Sequence, residues 1–158
     1  MRFPIGYAIL LFILPLFNCG CKKSTDRSSE STDRSSDSIT GFWELREASA
    51  ASNPTLYKFA AGNGNILDFT GTNYKIYKSG AVIKSGQFIV VKDTTVSTSV
   101  CLVFPKETYT NRVIYDSNFA ATKIFYQIEG DSLTFFSGCY AYDAGHSEMY
   151  IRVSKAGN

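Results

Sequence analysis

The stretch KIFYQIEGDSLTFFS, residues 123–137, decides the fold class of this chain. Ile124, Tyr126 and Ile128 alternate with Phe125, Gln127 and Glu129, the period-two pattern of a strand with one face turned inward. Glu129-Gly130-Asp131 then supplies residues that tolerate the positive φ a tight turn requires, and a second β-prone run resumes at Ser132. Two such runs so closely joined form an antiparallel hairpin, because a parallel crossover needs a dozen or more residues.

The same texture extends in both directions from this hairpin. Candidate strands fall at 41–47, 56–60, 66–70, 74–79, 82–92, 99–104, 112–116, 123–129, 132–137 and 147–153. Turn signals separate many of them, including Gly62-Asn63-Gly64-Asn65, Gly71-Thr72-Asn73, Ser79-Gly80 and Asp143-Ala144-Gly145. Trp43 and Leu45 oppose Glu44 and Arg46, so the first strand also has an inner and an outer face. Gly86 interrupts the longest run and marks a bulge or a bend. No stretch carries helical periodicity. The expectation is an all-β, antiparallel up-and-down barrel of about eight to ten strands, since closure removes the exposed edges of a meander.

Gly41-Phe42-Trp43 resembles the G-x-W signature of lipocalins, and Gly41-Phe42-Trp43-Glu44-Leu45 is similar to the opening of lipocalin-like domains in small Gram-negative lipoproteins. Leu67-Asp68-Phe69-Thr70, Ser85-Gly86-Gln87-Phe88, Gly130-Asp131-Ser132-Leu133-Thr134, the turn at Cys139 and Tyr150-Ile151-Arg152-Val153 follow in the order the resemblance requires. It implies that Trp43 closes one end of the barrel and that Arg152 lies across it in a cation–π contact. Strand alternation reads differently there, placing Met149, Ile151 and Val153 inside and Arg152 with Tyr150 outside. The resemblance further implies a small apolar ligand held by Trp43, Phe69, Tyr74, Tyr126 and Phe135. Those aromatic residues equally suit the packed interior of a small barrel. In that case the protein is an envelope interaction or inhibitor module, and Phe125, Phe136, Tyr140 and Tyr142 are candidates for an outward binding patch.

The amino terminus speaks to location. Arg2 precedes an apolar run from Ile5 to Phe17, a signal-peptide pattern assigned to residues 1–20. As a helix that run would be about 20 Å long, short of a hydrocarbon core of roughly 30 Å. The following F-N-C-G-C-K-K-S resembles the lipobox of bacterial lipoproteins, with Cys19 and Cys21 as alternative lipid anchors. Gly20 beside the cut and the C-K-K-S start favour Cys21. Cutting there also discards Cys19 and leaves Cys101 and Cys139 as a candidate disulfide, which suits an oxidising compartment. Two buried free thiols are the other reading. Residues 21–38 then form the lipidated start and a tether, S-T-D-R-S-S-E followed by S-T-D-R-S-S-D, with no apolar residue to pack. Residues 39–158 form the barrel domain, and the expected location is the bacterial cell envelope, as an outer-membrane lipoprotein with its membrane contact through the lipid.

Composition narrows the function. Sixteen basic against fourteen acidic residues leave a net charge of +2, too small for the footprint of a nucleic-acid binder. The single histidine, His146, sits in a turn-like Asp143-Ala144-Gly145-His146-Ser147-Glu148 with no second cluster to complete a metal site. Neither a G-x-S-x-G nucleophile motif nor a Gly-rich phosphate loop is present. No catalysis, metal or cofactor is expected.

Overall fold

The computed structural model describes residues 38–154. The segment 1–20 expected to be a signal peptide, Cys19, Cys21 and the repeat at 24–37 lie outside the described residues. Among the described residues there are nine strands, β1 (Gly41–Ala50), β2 (Asn53–Lys58), β3 (Ile66–Thr70), β4 (Asn73–Lys78), β5 (Ala81–Lys92), β6 (Asn111–Tyr115), β7 (Ile124–Glu129), β8 (Ser132–Ser137) and β9 (His146–Val153), with one short α-helix, α1 (Val96–Val100), and a 3-10 turn at Tyr140–Tyr142. All pairings are antiparallel, and β9 returns to pair with β1 along residues 42–50. The result is a closed eight-strand up-and-down barrel with β2 as an extra strand. The opening hairpin forms as its pattern dictates, Ile124–Glu129 against Ser132–Ser137.

β2 and β3 share one side of β1. β3 pairs with residues 41–44 and β2 with residues 47–50, so the two lie in one lane interrupted by the excursion at 59–65. Only β3 is inside the ring, and all six residues of β2 are exposed. The sequence pattern places this strand a few residues later, at 56–60.

Inward side chains of the ring form one core: Ile39, Trp43, Leu67, Phe69, Tyr74, Phe88, Val113, Tyr126, Leu133, Phe135 and Tyr150 are all buried there. Burying each large apolar side chain contributes roughly 1.5–3 kcal/mol. A second core lies outside the ring, where residues 93–110 fold back over the outer wall of β7 and β8. Val96 and Val100 of α1, four apart and so on one helical face, close on Phe125, with Leu102, Phe104, Tyr109, Phe136 and Tyr140 around them. The strand expected at 99–104 is therefore replaced by the end of α1 and irregular chain. Its apolar residues cover a wall instead of joining one. The Cys101–Cys139 disulfide, with Cα atoms 5.0 Å apart, fastens this flap to the segment after β8. Its sequence separation of 38 residues gives about 4 kcal/mol on the chain-entropy account.

Alternation misassigns the last strand. Arg152 pairs with Trp43 and Tyr150 with Leu45, and directly opposite residues share a face. Tyr150 is buried with the core, whereas Met149, Ile151 and Val153 lie partly exposed on the outer face. Hydrophobicity alone points the wrong way because this barrel keeps polar groups inside β9. Gly86 marks no bulge. The register shift between β4 and β5 lies between Ile76 and Tyr77, and Gly86 instead makes room for the Asp116 carboxylate and the Tyr74 ring, against which a Cβ would collide.

Candidate functional site

Strand direction gives the barrel two distinct ends. At the first, residues 38–40 enter beside the 71–72 and 130–131 turns, and the G-x-W residues explain themselves physically. The Arg152 guanidinium sits 4.0 Å from the centre of the Trp43 ring, within cation–π range. Trp43 Nε1 donates to the Ile39 carbonyl at 2.7 Å. Arg152 Nη1 and Nη2 donate to the carbonyls of Thr40 at 3.0 Å and Ser38 at 3.1 Å, and its Nε lies 3.6 Å from Asp131. Gly41 adopts φ +139°, and Arg152 Nη1 occupies the space a side chain would need. This end is closed.

In the middle of the barrel, the five aromatic residues expected to hold a ligand are packed into the core, mostly against other core rings. Phe69 packs edge-on to Phe88 with centroids 4.8 Å apart, Tyr74 meets Tyr115 at 4.6 Å, and Phe135 touches Tyr126 at 6.1 Å and Tyr150 at 5.9 Å. Each of Trp43, Phe69, Tyr74, Tyr126 and Phe135 is no more than 5% exposed. Tyr126 also borders a shallow cleft of about 490 Å³ beside residues 38–40 and the 71–72 turn. Of the expected outward patch, Phe125, Phe136 and Tyr140 belong to the second core under the flap. Only Tyr142 stands in solvent.

The second end carries polar groups that hydropathy places elsewhere. His146 opens β9 instead of sitting in a turn, and its Nε2 lies 3.1 Å from Glu148 Oε1. The Tyr150 hydroxyl donates to Glu148 Oε2 at 2.8 Å. Burial pushes the Glu148 carboxyl up, but the hydrogen bonds from His146 and Tyr150 outweigh it and hold the group below the usual range. The same hydrogen bond raises His146 against the opposing effect of burial. Among the described residues no group of three or more His, Cys, Asp or Glu converges as a metal site would require.

Around this end the apolar surface is conspicuous. Leu56 and Tyr57 of β2, Val82 and Ile83 at the start of β5, Phe119 in the β6–β7 loop and Tyr142 before β9 are all exposed. They belong to the connections and strand ends opposite Ser38. No sequence signal distinguishes them from buried apolar residues.

A cleft of about 240 Å³ opens where β6 and β7 separate. Only residues 111–113 pair with β7, and the chain then leaves as a loop before Ile124. Lys84, Arg112 and Lys123 reach this cleft from β5, β6 and the loop before β7. Asp93 forms ion pairs with Lys123 Nζ at 2.9 Å and Arg112 Nη1 at 3.5 Å. Burial raises the Asp93 carboxyl, yet hydrogen bonds from Thr95 and Lys123 prevail and hold it at about 2. Asp116 lies 3.6 Å from Lys84, and accepts from the Tyr74 hydroxyl at 2.8 Å and the Gln87 amide at 3.1 Å. None of these cations is conspicuous in the sequence, because their convergence depends on three separate elements.

Compared with known proteins, the chain matches no family model, no curated protein and no solved structure.

Proposed function

We propose that this protein is an exported lipoprotein, held in the bacterial envelope through a lipid on Cys21, whose barrel is an interaction module that docks on an envelope protein. The observation that carries the docking reading is position. Six apolar residues, including Ile83 and Phe119 at 61% exposure and Tyr142 at 82%, ring the end opposite the point where residue 38 enters. Ser38 enters at the opposite end of the barrel, so the described start of the domain does not cover that rim. Exposed apolar clusters of this kind mark interaction sites. The lipoprotein part rests on the apolar run, Gly20 and the C-K-K-S start, and the Cys101–Cys139 bond suits an oxidising compartment.

Photo-crosslinking in intact cells tests the docking. A photoreactive residue at Phe119 or Tyr142 is expected to give a discrete protein adduct, and one at Thr72, on the opposite end, none. Equal adducts from all three positions, or none from the rim, refute it. Mass spectrometry of the protein extracted from its own membrane tests the anchor, with an acylated chain beginning at Cys21 expected; a start at Cys19 or an unacylated chain overturns that assignment.

Small-molecule binding is a second reading, favoured by one observation, the cleft between β6 and β7. The five interior aromatics favour it less, because they are packed into the buried core.

A further inference from the structure

We infer that the cleft between β6 and β7 is a binding site for a small organic monoanion, a carboxylate carried on a compact apolar body. The inference goes beyond the docking function and uses none of the rim residues.

Charge is the first argument. Lys84, Arg112 and Lys123 border or enter the cleft, against the carboxylates of Asp116 and Asp93. Three cations against two carboxylates leave one surplus positive charge. Asp116 is already committed to the Tyr74 hydroxyl, the Gln87 amide and Lys84, so it does not neutralise the other two cations. Asp93 serves both Arg112 and Lys123 and cannot balance both.

Hydrogen-bonding capacity is the second. The Arg112 side chain is only 12% exposed. Its Nη1 meets Asp93 at 3.5 Å, longer than the roughly 2.7–2.9 Å of a well-formed charge-assisted bond. Its Nε has no hydrogen-bond partner among the described residues. A cleft-lining guanidinium whose one ion pair is long and whose Nε is unpaired favours a further acceptor, and Arg matches a carboxylate better than any other side chain does.

Shape and lining supply the apolar half. Val113 and Ile114 are 3% and 4% exposed, and together with Tyr115 and Ile124 they form a hydrocarbon and aromatic wall to the cleft. A volume of about 240 Å³ falls below the roughly 300–1,000 Å³ of sites for drug-sized molecules. A single-ring or short-chain carboxylate is the matching size.

Titration of the ¹⁵N-labelled full-length protein with benzoate, benzyl alcohol and inorganic phosphate tests this by NMR. Benzoate is expected to shift the Val113, Ile114 and Ile124 amides saturably and to bind at least about tenfold tighter than either comparison compound, the ratio that one charged hydrogen bond supplies. Arg112→Gln should weaken benzoate about tenfold or more. Lys84→Gln, on the exposed lip, should weaken it several-fold and serves as the second variant where Arg112→Gln fails to fold. Benzyl alcohol binding as tightly as benzoate would show apolar uptake alone, and equal affinity for phosphate would show a bare charge site. Either result overturns the inference, as does an unsaturable benzoate response or unchanged affinity in a folded variant.

Discussion

The two ends of the barrel solve opposite problems with the same strands. At the entry end, one arginine serves a tryptophan face, two carbonyls and a carboxylate, so the polar groups of the incoming chain are satisfied and Ile39 is drawn into the core. At the far end, Tyr57, Phe119 and Tyr142 remain in water while His146, Glu148 and Tyr150 hydrogen-bond one another inside β9. The difference teaches that closure of the sheet does not dictate closure of its ends. The entry end commits its polar groups to stability and leaves Ile89 and Val90 partly in solvent, whereas the far end leaves a larger set of apolar residues exposed.

The contrast breaks most sharply at Trp43. Trp43→Ala removes the ring beneath Arg152 and opens a cavity at a fully buried position, which should cost about 3–5 kcal/mol in denaturant unfolding. Next, the paired substitution Cys101→Ser with Cys139→Ser frees the flap near the far end and should cost about 2–4 kcal/mol. The ring should survive it, so far-ultraviolet circular dichroism keeps its strand signature while a hydrophobic dye gains access to Phe125 and Phe136. Loss of all strand signal would mean that the two cores do not separate.

Acid tests the seam between flap and barrel. The Asp93 carboxyl is held at about 2 against an ordinary 3.8, so its stabilisation is present above about pH 4 and disappears as pH falls through about 2. The loss should be about 1 kcal/mol, allowing for solvent screening, and Asp93→Asn should flatten the thermal-melting profile across that window. The smallest effect belongs to the far rim. Phe119→Ser and Tyr142→Ser should each change stability by no more than about 0.5 kcal/mol, and a larger loss by either in denaturant unfolding would reveal that the residue packs against the fold.

Legibility in the sequence follows how local each determinant is. Residues 124–137 specify their own hairpin through alternation and a Gly-Asp turn, and they form it in the expected register. Val96 and Val100 defeat the same logic, because two β-branched residues four apart suit a helical face as well as a strand. β9 misleads for a different reason. Pairing with the inward Trp43 and Leu45 makes Arg152 and Tyr150 the inner residues of a partly polar interior, and neither property is visible within β9 itself. Lys84, Arg112 and Lys123 are the extreme case, since their meeting depends on how three distant elements pack. Gly41, Trp43 and Arg152 are legible because each does something physical. Gly41 clears the space, Trp43 supplies the face, and Arg152 bridges to the incoming backbone.

That bridge also bears on how the domain meets mechanical load. A pull along the barrel axis arriving at Ser38 passes first to the Arg152 hydrogen bonds at residues 38 and 40, and then into β1. β1 is flanked by β9 along nearly its whole length and by β3 at its start. Drawing it out lengthwise shears many ladder bonds together, whereas prying it sideways would unzip them one at a time. The entry end is therefore a strain relief: tension carried by the preceding chain is distributed over the ring before any single strand can yield.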